Sequence, residues 1–136
     1  MAGDHTLSGL AVPEGLDELH DLLEQVGVQH PDVSPADLML FETAVIEIAG
    51  NVVEHGRPPG GVHWKFSIQV RPDRIEATLA DDGMAFEDAR VLADASMPDA
   101  DAEDGRGFAM ASQVLDELSY ERRGSANLWA MVRRRS

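Results

Sequence analysis

The chain has 136 residues, 43% of them hydrophobic, which fits one compact domain able to bury a sizeable core without staples. It contains no cysteine, which excludes a disulfide framework and any thiolate metal site, and no apolar run approaching the ~18 residues that span a bilayer. The formal net charge of −14, from 25 acidic against 11 basic residues, argues against direct nucleic-acid binding, because a polyanion needs a basic footprint to displace its counterions.

The opening MAGDHTLSGLAVPEG has neither a basic start nor a continuous apolar core. It does not read as a signal peptide, and a cytoplasmic location is expected. His5 to Val12 reads as a short first strand stopped by the turn at Pro13. From there Leu16, Leu19, Leu22, Leu23 and Val26 recur at helical spacing, with Asp17, Glu18, Asp21 and Glu24 on the other face, predicting an amphipathic helix that ends at Gly27. His20 and His30 have no histidine or acidic partner at metal-ligand spacing and read as ordinary surface residues.

The longest pattern runs from Ser34 to Gly56. Ser34 is placed to cap a helix, Pro35 suits its first position, and Asp37 complements the positive end of its dipole. Leu38, Phe41, Val45, Ile48 and Val52 form its core stripe, widened by Ala44, Ala49 and Val53. Glu47 and Asn51 stand one turn apart on the flank of that stripe, where core meets opening, so both could reach one ligand or metal ion. The alternative at this point is an exposed pair making a local hydrogen bond. Gly56 ends the helix, and Arg57-Pro58-Pro59-Gly60-Gly61 forms a loop.

Val62, Trp64, Phe66, Ile68 and Val70 then alternate with His63, Lys65, Ser67 and Gln69, the period of a strand with one buried and one wet face. After a turn at Pro72-Asp73, the inward positions of the next strand are Ile75, Ala77, Leu79 and then Asp81. A carboxylate on the buried face is costly unless something needs it, which makes Asp81 a functional candidate; the alternative is a plain Asp-Asp-Gly turn. Gly83 follows, where a backbone without Cβ can turn sharply or approach a ligand closely.

From Glu87 to Asp104 the chain is acidic and carries no sustained periodicity, as in a mobile lid or plain disorder. It meets Gly105-Arg106-Gly107 directly before a helix expected through Phe108, Ala111, Leu115 and Leu118. Glycines at a helix N-terminus leave N–H groups free for phosphate, aided by the dipole and by Arg106, although this is neither a Walker A loop nor a Rossmann fingerprint. With Mg²⁺ and such N–H groups supplying positive charge, an acidic protein can still hold a nucleotide. Ser119 to Arg123, a turn at Gly124-Ser125 and a strand from Asn127 to Arg133 close the chain as a hairpin. Arg133, Arg134 and Arg135, the only basic cluster, read as a solvated end.

Taken together, Glu47 with Asn51, then Asp81-Asp82-Gly83-Met84-Ala85-Phe86, then Gly105-Arg106-Gly107-Phe108 resemble in order and spacing the N, G1 and G2 boxes of the GHKL ATP-binding superfamily. The His55-Gly56 ending and the Gly-Arg-Gly-Phe form look most like the anti-sigma factor serine/threonine kinases of the RsbW and SpoIIAB type. The resemblance covers nearly the whole chain. It implies a single domain over residues 1–136 with a Bergerat-type α/β two-layer sandwich, helices on one face of a mixed, mainly antiparallel sheet, and an ATP lid at about 87–104. It also implies ATP and Mg²⁺ as cofactors. By matching positions Asn51 would coordinate the metal, Glu47 would act as general base, and Asp81 would accept a hydrogen bond from the adenine amino group. Gly83, with Ala85 and Phe86 in the same segment, would line the nucleotide, and Gly105, Arg106, Gly107 and Phe108 would surround phosphate.

The implied activity is sequestration of a sigma factor by a homodimer, with phosphorylation of a serine or threonine on a STAS-type antagonist. The alternatives are an ATP-binding module that switches partner binding without catalysis, and an interaction domain with a relict pocket. One departure from the family pattern is Ala85, where a second glycine is usual. The phosphoacceptor helix pair of sensor histidine kinases is absent, and none of His5, His20, His30, His55 or His63 sits in such a hairpin.

Overall fold

A computed structural model describes residues 4–56, 58, 60–85 and 110–136. Phe86, Gly105, Arg106, Gly107, Phe108 and the expected lid at about 87–104 lie outside the described residues. The elements are strand β1 (Asp4–Leu10), helices α1 (Pro13–Gln29) and α2 (Pro35–His55), and strands β2 (His63–Val70), β3 (Arg74–Asp81), β4 (Glu117–Arg123) and β5 (Ala126–Arg134). A helical turn at 110–114 precedes β4.

The five strands form one sheet in the order β1-β2-β3-β5-β4. Every described pairing is antiparallel, so the mixed character expected from the resemblance is not seen among the described residues. Both helices bury their apolar stripes against one face of this sheet. Leu19, Leu23 and Val26 of α1 and Phe41, Val45, Ile48 and Val52 of α2 meet Trp64, Phe66, Ile68, Ile75, Leu79, Trp129 and Met131 in one core. Burying side chains such as Phe41 and Ile48 completely contributes roughly 1.5–3 kcal/mol each, which makes α2 the principal fixed wall of the domain.

Local punctuation differs from the sequence reading in four places. First, α1 does not stop at Gly27 but continues to Gln29. There Gly27 serves close packing instead, since a Cβ on it would lie 2.9 Å from Leu38 Cδ2 of α2. Second, the Ser34 side chain makes no capping bond. Third, Leu118 belongs to β4 and not to the preceding helix, because the chain is already paired with β5 from Glu117, opposite Val132. Fourth, His30 has a partner: its Nε2 lies 3.1 Å from Nε2 of His5, joining edge strand β1 to the end of α1.

Of the three terminal arginines Arg134 is exposed as expected, whereas Arg133 and Arg135 are not a solvated end. Arg133 pairs with Asp37 at 3.1 Å and donates to the Val114 carbonyl, and Arg135 donates to the Arg71 carbonyl and pairs with Asp32 at 2.8 Å. Asp37, only 1% exposed, also receives the Ser136 N–H at 2.9 Å and hydroxyl at 2.8 Å. Its role is therefore to clamp the last strand onto the start of α2, beyond any dipole effect. No helix among the described residues is long and apolar enough to cross a membrane.

Candidate functional site

The period of α2 brings Asn51 to the margin of its buried stripe, 8% exposed, with Glu47 half-buried one turn earlier. Asn51 Nδ2 donates to the Glu47 backbone carbonyl at 2.7 Å. The bond is local, as in the alternative reading, but it comes from a buried amide and goes to backbone, and it fixes the amide with its oxygen as the end able to meet a ligand. Glu47 lines a depression of about 210 Å³ with His20, Met39, Glu42, Thr43 and Ile46. Burial pushes the neighbouring Glu42 carboxyl above its usual range; the charge of His20 opposes this and that of Glu24 reinforces it.

Asp81 ends β3 on its inward face, between Trp64 of β2 and Asn127 of β5, and is 2% exposed. Its two oxygens differ. Oδ1 accepts the Gly83 N–H at 3.0 Å and Asn127 Nδ2 at 2.8 Å, whereas Oδ2 is buried and has no hydrogen-bond partner among the described residues. Burial raises the Asp81 carboxyl above its ordinary range, against the lowering effect of the bonds from Asn127 and Gly83; Asp82 adds to the rise and Arg122 opposes it. Asp82 itself is exposed and completes the strand end, accepting the His63 N–H at 2.7 Å. Asp81 borders a depression of about 270 Å³ lined also by His63, Trp64, Lys65, Ala80, Asp82 and Ala126. Glu47 and Asp81 therefore line two different depressions among the described residues.

Three residues at this site were missed by sequence reasoning: Asn127, Arg122 and Tyr120. Asn127 is 0% exposed and its amide nitrogen also faces the carbonyls of Met84 at 2.9 Å and Gly83 at 3.3 Å. Its oxygen accepts the Tyr120 hydroxyl and Arg122 Nη1, and Arg122 Nη1 also donates to the Gly83 carbonyl at 2.6 Å. The signal was present. The alternation that puts Trp129 and Met131 inward on β5 puts Asn127 inward too, and a buried amide at a strand end invites the same question as a buried carboxylate.

The alanine at position 85 carries no strain. Among the described residues only Gly60 and Gly124 have positive φ, so neither Gly83 nor Ala85 uses a left-handed backbone. No group of three or more histidine, aspartate or glutamate side chains among the described residues could hold a metal ion.

Residues 10–133 match the histidine kinase-like ATPase domain family. The chain belongs to that family, which implies ATP as its ligand. No curated protein sequence matches it. Among solved structures it is similar to the RsbU and RsbW domains of Rv1364c from Mycobacterium tuberculosis, at 15% identity and a TM-score of 0.70 over 97% of this chain and 32% of that one. It is also similar to the histidine kinase domain of the blue-light activated histidine kinase from Erythrobacter litoralis EL346, at 16% identity and a TM-score of 0.56 over 86% of this chain and 59% of that one. The chain thus spans about a third and somewhat over half of these two proteins, and at such identities the likeness establishes the fold.

Proposed function

We propose that this domain binds Mg·ATP and transfers its γ-phosphoryl group to a serine or threonine of a STAS-type partner, releasing a sigma factor that it otherwise holds as a homodimer. The observation that carries the nucleotide reading is the buried Oδ2 of Asp81, which has no hydrogen-bond partner among the described residues: the exocyclic amine of adenine supplies the donor that this oxygen lacks. Gly83, Met84 and Ala85 then run along the base, while Phe86 is assigned to the nucleotide, and Gly105, Arg106, Gly107 and Phe108 to phosphate, by their motifs. Asn51 would hold Mg²⁺, which when bound neutralises charge on the phosphates.

In the transfer, the partner's hydroxyl oxygen forms a bond to the γ-phosphorus as the bond from that phosphorus to the β–γ bridging oxygen breaks. ADP departs, and the hydroxyl proton passes to the Glu47 carboxylate. The domain's main contribution is positioning of the two reactants. Incubation of the protein and its antagonist with Mg·ATP should add one phosphoryl group to the antagonist, and Glu47→Ala should abolish the addition. No addition by the wild-type protein with its true partner would overturn the kinase reading. The separation of Glu47 and Asp81 into two depressions favours a second reading, an ATP-dependent binding module. That reading wins if Mg·ATP alters partner affinity equally in wild type and Glu47→Ala while no phosphoryl group moves.

A further inference from the structure

We propose that Asn127 is a specificity-determining positioning residue: it commits one oxygen of Asp81 to the protein and leaves the other as a fixed acceptor, so that the pocket takes a 6-amino purine and rejects a 6-oxo purine. The inference rests on the nucleotide reading above and deepens it. A carboxylate free to rotate, or free to take up a proton, could satisfy either kind of base. Asp81 is held against the first by its hydrogen bonds, and the bond from Asn127 works against the second.

Its Oδ1 already receives two donors, Asn127 Nδ2 at 2.8 Å and the Gly83 N–H at 3.0 Å, and these bonds set the plane in which Oδ2 points. The orientation of the Asn127 amide is in turn dictated. Arg122 Nη1, 3.2 Å from Asn127 Oδ1, can only donate, and the Tyr120 hydroxyl binds the same oxygen. The oxygen end is thereby claimed, and the NH₂ end must face Asp81 and the carbonyls of Met84 and Gly83. One amide therefore holds both the reading carboxylate and the backbone that runs beside the base. The bond from Asn127 also favours the ionised form of Asp81 against the effect of burial, which keeps Oδ2 an acceptor.

Among the described residues no donor reaches Oδ2, and inosine triphosphate brings a second acceptor to it where ATP brings a donor. Losing Asn127 lets the carboxyl turn and makes protonation easier, and a protonated Asp81 can donate to an oxo group. Discrimination should fall even where total affinity survives.

The test is a titration of ATP and of inosine triphosphate, each with Mg²⁺, into the wild-type chain, Asn127→Ala and Arg122→Ala, with folding checked by circular dichroism and the pH profile of ATP binding recorded. Wild type should prefer ATP by about 100-fold, the scale of a charge-assisted hydrogen bond replaced by two opposed acceptors. Asn127→Ala should reduce the preference to about tenfold or less and move the acid limb of ATP binding to higher pH, because a destabilised carboxylate titrates later on the way up. Arg122→Ala, at an exposed position that leaves the core intact, should reduce the preference about threefold in the same direction, because it removes a donor from the far end of the amide together with the bond to the Gly83 carbonyl. It decides the matter if Asn127→Ala does not fold. An unchanged ATP preference in a folded Asn127→Ala, or equal weakening of both nucleotides with no movement of the pH profile, overturns the inference and leaves the nucleotide reading standing. A wild-type chain that binds neither nucleotide overturns both.

Discussion

Asp37 and Asp81 are hidden to the same degree, 1% and 2% exposed, at the start of α2 and the end of β3. They are treated in opposite ways. At Asp37 both oxygens are engaged, Oδ1 by Arg133 and Oδ2 by the N–H and hydroxyl of Ser136, and the backbone bond from Ser136 leads the effects that hold its carboxyl below the usual range. At Asp81 one oxygen is engaged, the other is left over among the described residues, and burial lifts the carboxyl above that range. Burial of a charge is therefore not what marks a site here. The mark is a valence that the protein leaves for something else to fill, at a cost to the fold that a purely structural residue would not impose.

The sharpest way to break this comparison is to remove each carboxylate and measure stability. Asp37→Ala leaves Arg133 without its carboxylate and Ser136 without its acceptor and should cost about 3 kcal/mol in urea unfolding, with nucleotide affinity of the folded protein unchanged. If Asp37→Ala unfolds at the wild-type midpoint, the clamp is not structural. Asp81→Asn should instead lie within about 1 kcal/mol of wild type at neutral pH, because it removes a buried charge that is only half satisfied. A loss comparable to that of Asp37→Ala would make Asp81 a structural residue after all.

The pH dependence distinguishes them further, with signs that follow from the two shifts. The folded-state depression at Asp37 supplies stability that is present above its unfolded pKa and is lost as pH falls through the folded value; Asp37→Asn should therefore flatten the acid limb below about pH 4. The elevation at Asp81 works the other way. Its ionised form costs stability above the folded value, and that cost disappears as pH falls through it, so Asp81→Asn should gain on wild type at neutral pH relative to acid pH. Equal pH curves for the two variants would contradict the contrast. The smallest effect concerns the helix start that Asp37 occupies: Ser34→Ala should change stability by less than about 0.5 kcal/mol, below the usual cost of losing a cap, because the Ser34 side chain makes no capping bond there. A full cap penalty would show that the Ser34 hydroxyl, and not Asp37, secures this end of α2.

What the sequence disclosed follows the same division between local and distant causes. The alternation of β2 and β3 was readable because a strand's two faces repeat every second residue, and it placed Asp81 inward without any knowledge of its neighbours. The stripe of α2 was readable for the matching reason, with Glu47 and Asn51 at its margin. The partners were not readable. Asn127 lies 46 residues from Asp81, Arg133 96 from Asp37 and Arg135 103 from Asp32, and only the sheet order brings them together. The terminal arginines consequently looked like a solvated tail, and His30 looked alone although His5 faces it across the fold. Gly27 misled for a related reason: a glycine that permits close contact with Leu38 looks, in one dimension, like a helix stop.

The central claim is that the spare oxygen of Asp81 is there to receive adenine. Calorimetric titration of Mg·ATP into the wild-type chain, Asp81→Asn and Asp37→Asn tests it most directly, with all three folded by circular dichroism. Wild type and Asp37→Asn should bind with the same affinity, and Asp81→Asn should bind about 100-fold more weakly. Equal binding by wild type and Asp81→Asn, or weakening by the Asp37 variant as large as that by the Asp81 variant, would contradict it.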